Sequence, residues 1–166
     1  YINCDEGEGN FFSEYGTLLH NILEMFAKGE LECYELSSVY KEDFDNVIKH
    51  PAPPNKYVDL RESYYNAGLN YLNEFEDFGD YEIVEVEKEF IFEIEGIKVK
   101  GVIDLLVRDK DGNLIIIDHK SSDPKTAKSE KAKEYWRQMY LYSIHIKEKY
   151  GAYPVKLLLN CFRKGY

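Results

Sequence analysis

Apolar residues recur at helical spacing from Ser13 to Ala27, where Leu18, Leu19, Ile22, Leu23 and Phe26 share one side and Gly29 stands where the helix should stop. Residues 31–50 repeat the pattern more weakly. The run Pro51-Ala52-Pro53-Pro54-Asn55 then breaks the chain, because no helix interior or central strand tolerates it. Helical periodicity resumes from Val58 to Phe75 through Leu60, Tyr64, Ala67, Leu69 and Tyr71. From Tyr81 the period changes to two. Ile83, Val84, Val86, Phe90, Phe92 and Ile94 fall among glutamates, which predicts a strand with one wet face ending at the Glu95-Gly96 turn. Strands are predicted at Ile97–Arg108 and Leu114–Ser121, a long helix over about Ala127–Lys149, and a last strand over Pro154–Cys161. The second and third strands are apolar on both faces, so helices are expected to cover both sides of an α/β sheet.

The segment joining the second and third strands fixes their register. Lys110-Asp111-Gly112 reads as a three-residue hairpin loop with Gly112 in the left-handed position. A calcium loop is excluded, since its glycine belongs at the sixth position and here arrives at the fourth. If Asp109 lies opposite Asn113, Asp104 falls opposite Asp118. Lys120 then shares the face of Asp118, so three charged groups interrupt an otherwise apolar surface of Val102, Leu106, Leu114 and Ile116. Facing carboxylates repel, and burying charge costs several kcal/mol unless it is paired or bound to a cation. Two readings stand at this point: a divalent ion, Mg²⁺ or Mn²⁺, held by Asp104, Asp118 and the backbone carbonyl of His119, or a buried Asp118–Lys120 ion pair with Asp104 at a strand edge. The first supplies the means of phosphodiester hydrolysis.

Gly101-Val-Ile-Asp104 followed by Asp118-His119-Lys120 resembles the PD-(D/E)XK nuclease superfamily. Gly16-Thr-Leu-Leu-His20 resembles the histidine motif of its RecB-like branch, and Gln138-Met-Tyr-Leu-Tyr142 resembles that branch's QxxxY motif. The resemblance implies a restriction-endonuclease-like core of helix, three strands, helix and strand in a single domain over residues 1–166, with an added helical segment at about 31–75. It further implies Asp104 and Asp118 as metal ligands, His20 as an additional ligand and Lys120 as the catalytic lysine. Gln138 and Tyr142 would support the site and contact DNA, although Tyr142 also belongs to the inward stripe of Tyr135, Met139 and Ile146. The activity implied is that of a metal-dependent exonuclease in DNA repair or recombination. Some RecB-like nucleases carry an iron–sulfur cluster on four cysteines; Cys4, Cys33 and Cys161 offer three, so none is expected. Glu87, between Glu85 and Glu89, is assigned to the wet face.

Composition divides unevenly along the chain. The 166 residues carry a net charge of −10, but residues 1–100 hold 23 acidic against 8 basic side chains, and residues 101–166 hold 8 against 13. A basic back end on an acidic chain admits a polyanion from one side. By themselves such lysines read as a solvated helix face; with the resemblance, Lys125, Lys128, Lys131, Lys133 and Arg137 are expected to steer a DNA backbone, with Trp136 and Tyr140 available for stacking on bases or for packing. The cysteines, odd in number and widely spaced, read as reduced thiols. No apolar run approaches the ~20 residues of a membrane span, and the first residues lack the basic start and apolar stretch of a signal peptide, so a cytoplasmic protein without membrane partners is expected. A first residue other than Met suggests a piece of a longer chain, fused or docked to a helicase or recombination partner. The rival to an enzyme is a noncatalytic DNA-binding or helicase-partner domain of the same fold.

Overall fold

The computed structural model describes residues 9–121 and 130–162. Its elements follow the expected order: α1 (Phe11–Ala27), α2 (Leu36–Val47) entered through a short 3-10 turn, α3 (Leu60–Asn73), β1 (Glu82–Ile94), β2 (Ile97–Arg108), β3 (Leu114–Lys120), α4 (Glu130–Tyr150) and β4 (Lys156–Cys161). They form two compact units, a sheet unit of residues 78–119 and 130–160, and a helical unit of residues 9–77 with 120–121 and 161–162. Cys4, Lys125 and Lys128 lie outside the described residues. Cys33 is half-buried and Cys161 is buried, and no disulfide joins them.

The helical unit begins two residues before the periodicity does, because Asn10 caps α1. Its side chain accepts from the Phe12 and Ser13 amides while the Ser13 hydroxyl faces the Asn10 backbone, satisfying donors that a helix start leaves open. Phe11, Tyr15, Leu18, Leu19, Ile22 and Leu23 form the buried face of α1, joined by Leu36, Tyr40 and Phe44 of α2 and by Tyr64, Tyr71 and Leu72 of α3. Asp59 caps α3 by accepting from the Glu62 amide at 3.1 Å.

In the sheet unit the strands lie in the order β1-β2-β3-β4. The β2–β3 loop takes the expected form: Gly112 has φ +84°, the Asp109 and Asn113 backbones are joined at 3.0 Å, and the Asp109 carboxylate accepts from the Asp111 and Asn113 amides. Those donors hold its pKa below the usual carboxylate value. The antiparallel ladder then runs from Arg108↔Leu114 to Leu105↔Ile117 in the register the loop sets. At one end of β4 the Val155 amide donates to Leu114, and at the other the Phe162 amide donates to Lys120, so β4 advances parallel to β3. A parallel neighbour needs a long crossover, which α4 supplies. Met139, Tyr142 and Ile146 of α4 pack with Phe90, Phe92, Ile103, Leu106, Leu114 and Ile116. Leu105, Val107, Ile115 and Ile117 are buried as well.

Candidate active site

Asp104 and Asp118 lie one step beyond the last pair of the β2–β3 ladder, where the register sets them opposite one another. There the hydrogen bonding changes hands. The His119 amide donates to the Asp104 carboxylate at 2.6 Å, so a side chain receives the N–H at this point. Asp118 is buried at 3% exposure and Asp104 is half-buried.

Glu87 corrects the reading of the first strand. The β1–β2 ladder pairs Val86 with Leu105 and Lys88 with Ile103, which sets Glu87 opposite Asp104. Carboxylate oxygens of the two lie within 4.8 Å of one another, and Glu87 is half-buried. Strict alternation misassigns this residue because β1 does not alternate there. Its register slips between Ile83 and Glu85, Glu87 itself adopts φ +46°, residues 84–87 are all half-buried and residues 88 and 89 are both exposed. A bulge and a left-handed residue re-aim side chains in this way.

From α4, Tyr142 reaches the same place. Burial pushes its phenol up to about 12, the neighbouring Asp118 and Asp104 carboxylates push in the same direction, and hydrogen bonds from Gln138 and the Val102 amide oppose them. Gln138 and Tyr142, one helical turn apart, are directly hydrogen-bonded. With its pKa raised by burial, the phenol stays protonated at neutral pH beside the two carboxylates. Tyr142 therefore belongs to the core and to the site together. The approach depends on Gly101: a Cβ there would sit 2.6 Å from the Tyr142 ring and 2.6 Å from the Phe90 ring. Farther along α4, Lys149 pairs with Glu85 of β1, whose side chain is only 13% exposed.

The His119 ring packs between Asn160 and Phe78 and is 4% exposed. Its Nδ1 lies 2.9 Å from Nδ2 of the fully buried Asn160 on β4, and Phe78 packs beside it with ring centroids 6.0 Å apart. Lys120 is half-buried at the end of β3, and its carbonyl accepts from the Phe162 amide at 3.0 Å. In the helical unit, His20 is half-buried on α1 with its ring edge-on to Phe162, centroids 5.4 Å apart. Arg137 and Tyr140 are exposed on α4 and Trp136 is half-buried.

The sheet unit thus gathers Glu87, Asp104, Asp118, Gln138 and Tyr142. Three carboxylates in a partly buried setting repel one another and favour a cation. Their all-oxygen character suits a hard divalent ion such as Mg²⁺ or Mn²⁺. Residues 5–164 match the profile of a known family across both units. The chain belongs to the PD-(D/E)XK nuclease superfamily. Nucleases of this superfamily usually use divalent metals, and the carboxylates fit that requirement. The PD-(D/E)XK assignment agrees with the mixed α/β fold and its four-stranded sheet. A comparison with curated proteins gives no match. Among the described residues, no helix is long and apolar enough to cross a membrane.

Proposed function

We propose that this chain hydrolyses phosphodiester bonds in DNA as a metal-dependent nuclease of the RecB-like branch, acting from DNA ends as one domain. What supports the reading is the convergence of Glu87, Asp104 and Asp118 on adjacent strands of a chain that belongs to a nuclease superfamily. We assign these carboxylates, the backbone carbonyl of His119 and the His20 ring to a divalent ion, Mg²⁺ or Mn²⁺. Such an ion lowers the pKa of a water and neutralises charge on a phosphate oxygen. Lys120, two residues after Asp118 on β3, donates hydrogen bonds that orient the attacking water or the phosphate. Tyr142, hydrogen-bonded by Gln138 and standing beside Asp104 and Asp118, supports the carboxylates as a neutral phenol, its pKa pushed up to about 12 by burial. Arg137, with Lys125 and Lys128, neutralises the DNA backbone outside the reacting centre. The RecB-like branch and the place in repair or recombination rest on the Gly16–His20 and Gln138–Tyr142 motifs.

The test is cleavage of end-labelled linear DNA, single- and double-stranded, beside a closed circle, with Mg²⁺ or Mn²⁺, comparing the wild type with Lys120→Ala. Metal-dependent loss of linear DNA that vanishes in the variant, with circles spared, is the expected result. Cutting of circles overturns the exonuclease part, and a wild type that cuts nothing with either metal overturns the enzyme.

A further inference from the structure

The β2–β3 ladder ends at Leu105↔Ile117, one step short of the two acidic strand positions. Continuing the β2–β3 register would set Ile103 against His119, yet the His119 amide is given to the Asp104 side chain at 2.6 Å. A charge-assisted bond of that length fixes which way the Asp104 carboxylate faces, provided that the amide itself stays in place. The anchor comes from the other neighbour of β3. Asn160 is 0% exposed, and its Nδ2 donates to Nδ1 of a histidine ring that is 4% exposed. The bond requires an unprotonated Nδ1, which leaves the ring proton on Nε2. A polar pair buried so deeply costs desolvation unless the bond is made, so its geometry is enforced strongly. His119 stands immediately between Asp118 and Lys120, and any rotation of its backbone tilts both neighbours.

We infer that Asn160 is a positioning residue of this site, acting through the His119 imidazole to hold the backbone amide that orients Asp104. The Asn160 amide meets the His119 ring. It supports the histidine, the histidine's amide supports the aspartate, and the aspartate faces Glu87. Outer partners of metal-holding side chains are worth about 10–100-fold in metal affinity or activity. The inference rests on the nuclease reading for its consequence, but the chain of hydrogen bonds exists without any metal.

The experiment uses Asn160→Leu, which keeps the volume and removes the donor, together with His119→Phe and the double variant. Three quantities are read: Mn²⁺ affinity by calorimetry, hydrogen exchange of the residue-119 amide in metal-free protein, and cleavage split into kcat and KM. Asn160→Leu is expected to weaken Mn²⁺ binding about 10–100-fold, to speed exchange of the His119 amide, and to lower kcat with little change in KM. The double variant should be no worse than His119→Phe alone, since Asn160 acts through that ring. If Asn160→Leu does not fold, Asn160→Ser is read in its place, with an intermediate loss expected. Wild-type affinity and amide protection in Asn160→Leu overturn the inference while leaving the nuclease reading intact; effects of the two single variants that simply add also overturn it. A wild type that neither binds Mn²⁺ nor cuts DNA overturns the nuclease reading, while faster amide exchange in Asn160→Leu would still establish the positioning of His119.

Discussion

Adding one methyl group at Gly101 tests the coupling of core to site. The Cβ of Gly101→Ala would lie 2.6 Å from Cε1 of Tyr142, 2.6 Å from Cζ of Phe90 and 3.1 Å from Cε1 of Phe90. Carbon atoms pack at about 3.5–4.0 Å, so the two rings must withdraw by roughly 1 Å between them and the new methyl. Neither has an easy path: Phe90 is stacked on His145 at 4.2 Å and meets Tyr142 edge-on at 5.1 Å, and Tyr142 is tied to Gln138. Overpacking of this kind costs about 1–3 kcal/mol. Replacing a strand glycine returns about 0.5–1 kcal/mol by restricting the unfolded chain, which leaves a net loss of about 1 kcal/mol. Stability is thus expected to fall modestly in a urea titration at constant m. Function should suffer far more, because a displacement of about 1 Å at a positioning group can cost around 100-fold in rate. The Tyr142 hydroxyl would lose its Val102 donor and its place beside Asp104 and Asp118, and its ring titration, followed by NMR, should change from about 12. Unchanged cleavage and an unchanged Tyr142 titration in a destabilised Gly101→Ala would refute the reasoning, since the strain would then have relaxed elsewhere.

Other consequences can be measured separately. Glu87→Gln should weaken Mn²⁺ binding and cleavage by about tenfold or more while raising the urea midpoint of the metal-free chain, because it relieves repulsion with Asp104; a lower midpoint would contradict the assigned repulsion. His145 has its pKa lowered by burial and by Lys149, against opposing pulls from Glu85 of β1 and Glu148 of its own helix. The folded chain therefore holds fewer protons on this ring than the unfolded chain does, and stability should decline as pH falls below the unfolded value of about 6.5. His145→Phe should remove that part of the decline, as read from urea midpoints across the range.

Much of the sheet was legible because its signals are local. Asp109 to Asn113 writes a turn whose hydrogen bonds fix a register, and that register carries Asp104 to the neighbourhood of Asp118 without reference to the rest of the chain. The α4 motif was legible for the same reason, since Gln138 and Tyr142 are one turn apart on one helix. Glu87 was lost because period-two reasoning presumes an unbroken strand, and nothing in the run of glutamates distinguishes the residue at which the backbone turns left-handed. Asn160 carries no signal at all in its own surroundings. Its partner lies 41 residues away, and only the parallel placement of β4 makes the pair. Asn10 is a milder case, a capping residue overlooked because the periodic pattern begins after it.

The parallel β4 also sets an order in time. A ribosome delivers β1, β2 and β3, with Glu87, Asp104 and Asp118, before it has made α4 and the strand that carries Asn160. Hairpins joined by short turns form early, whereas pairings across long stretches of chain wait for their partners. A nascent chain halted before residue 156 would contain the residues of β1, β2 and β3 with their three carboxylates, but it would lack the Asn160 side chain that meets His119 and the β4 main chain that accompanies β3 to Lys120. In the order of synthesis the acidic residues come first, and the strand that carries the partner of the His119 ring comes last.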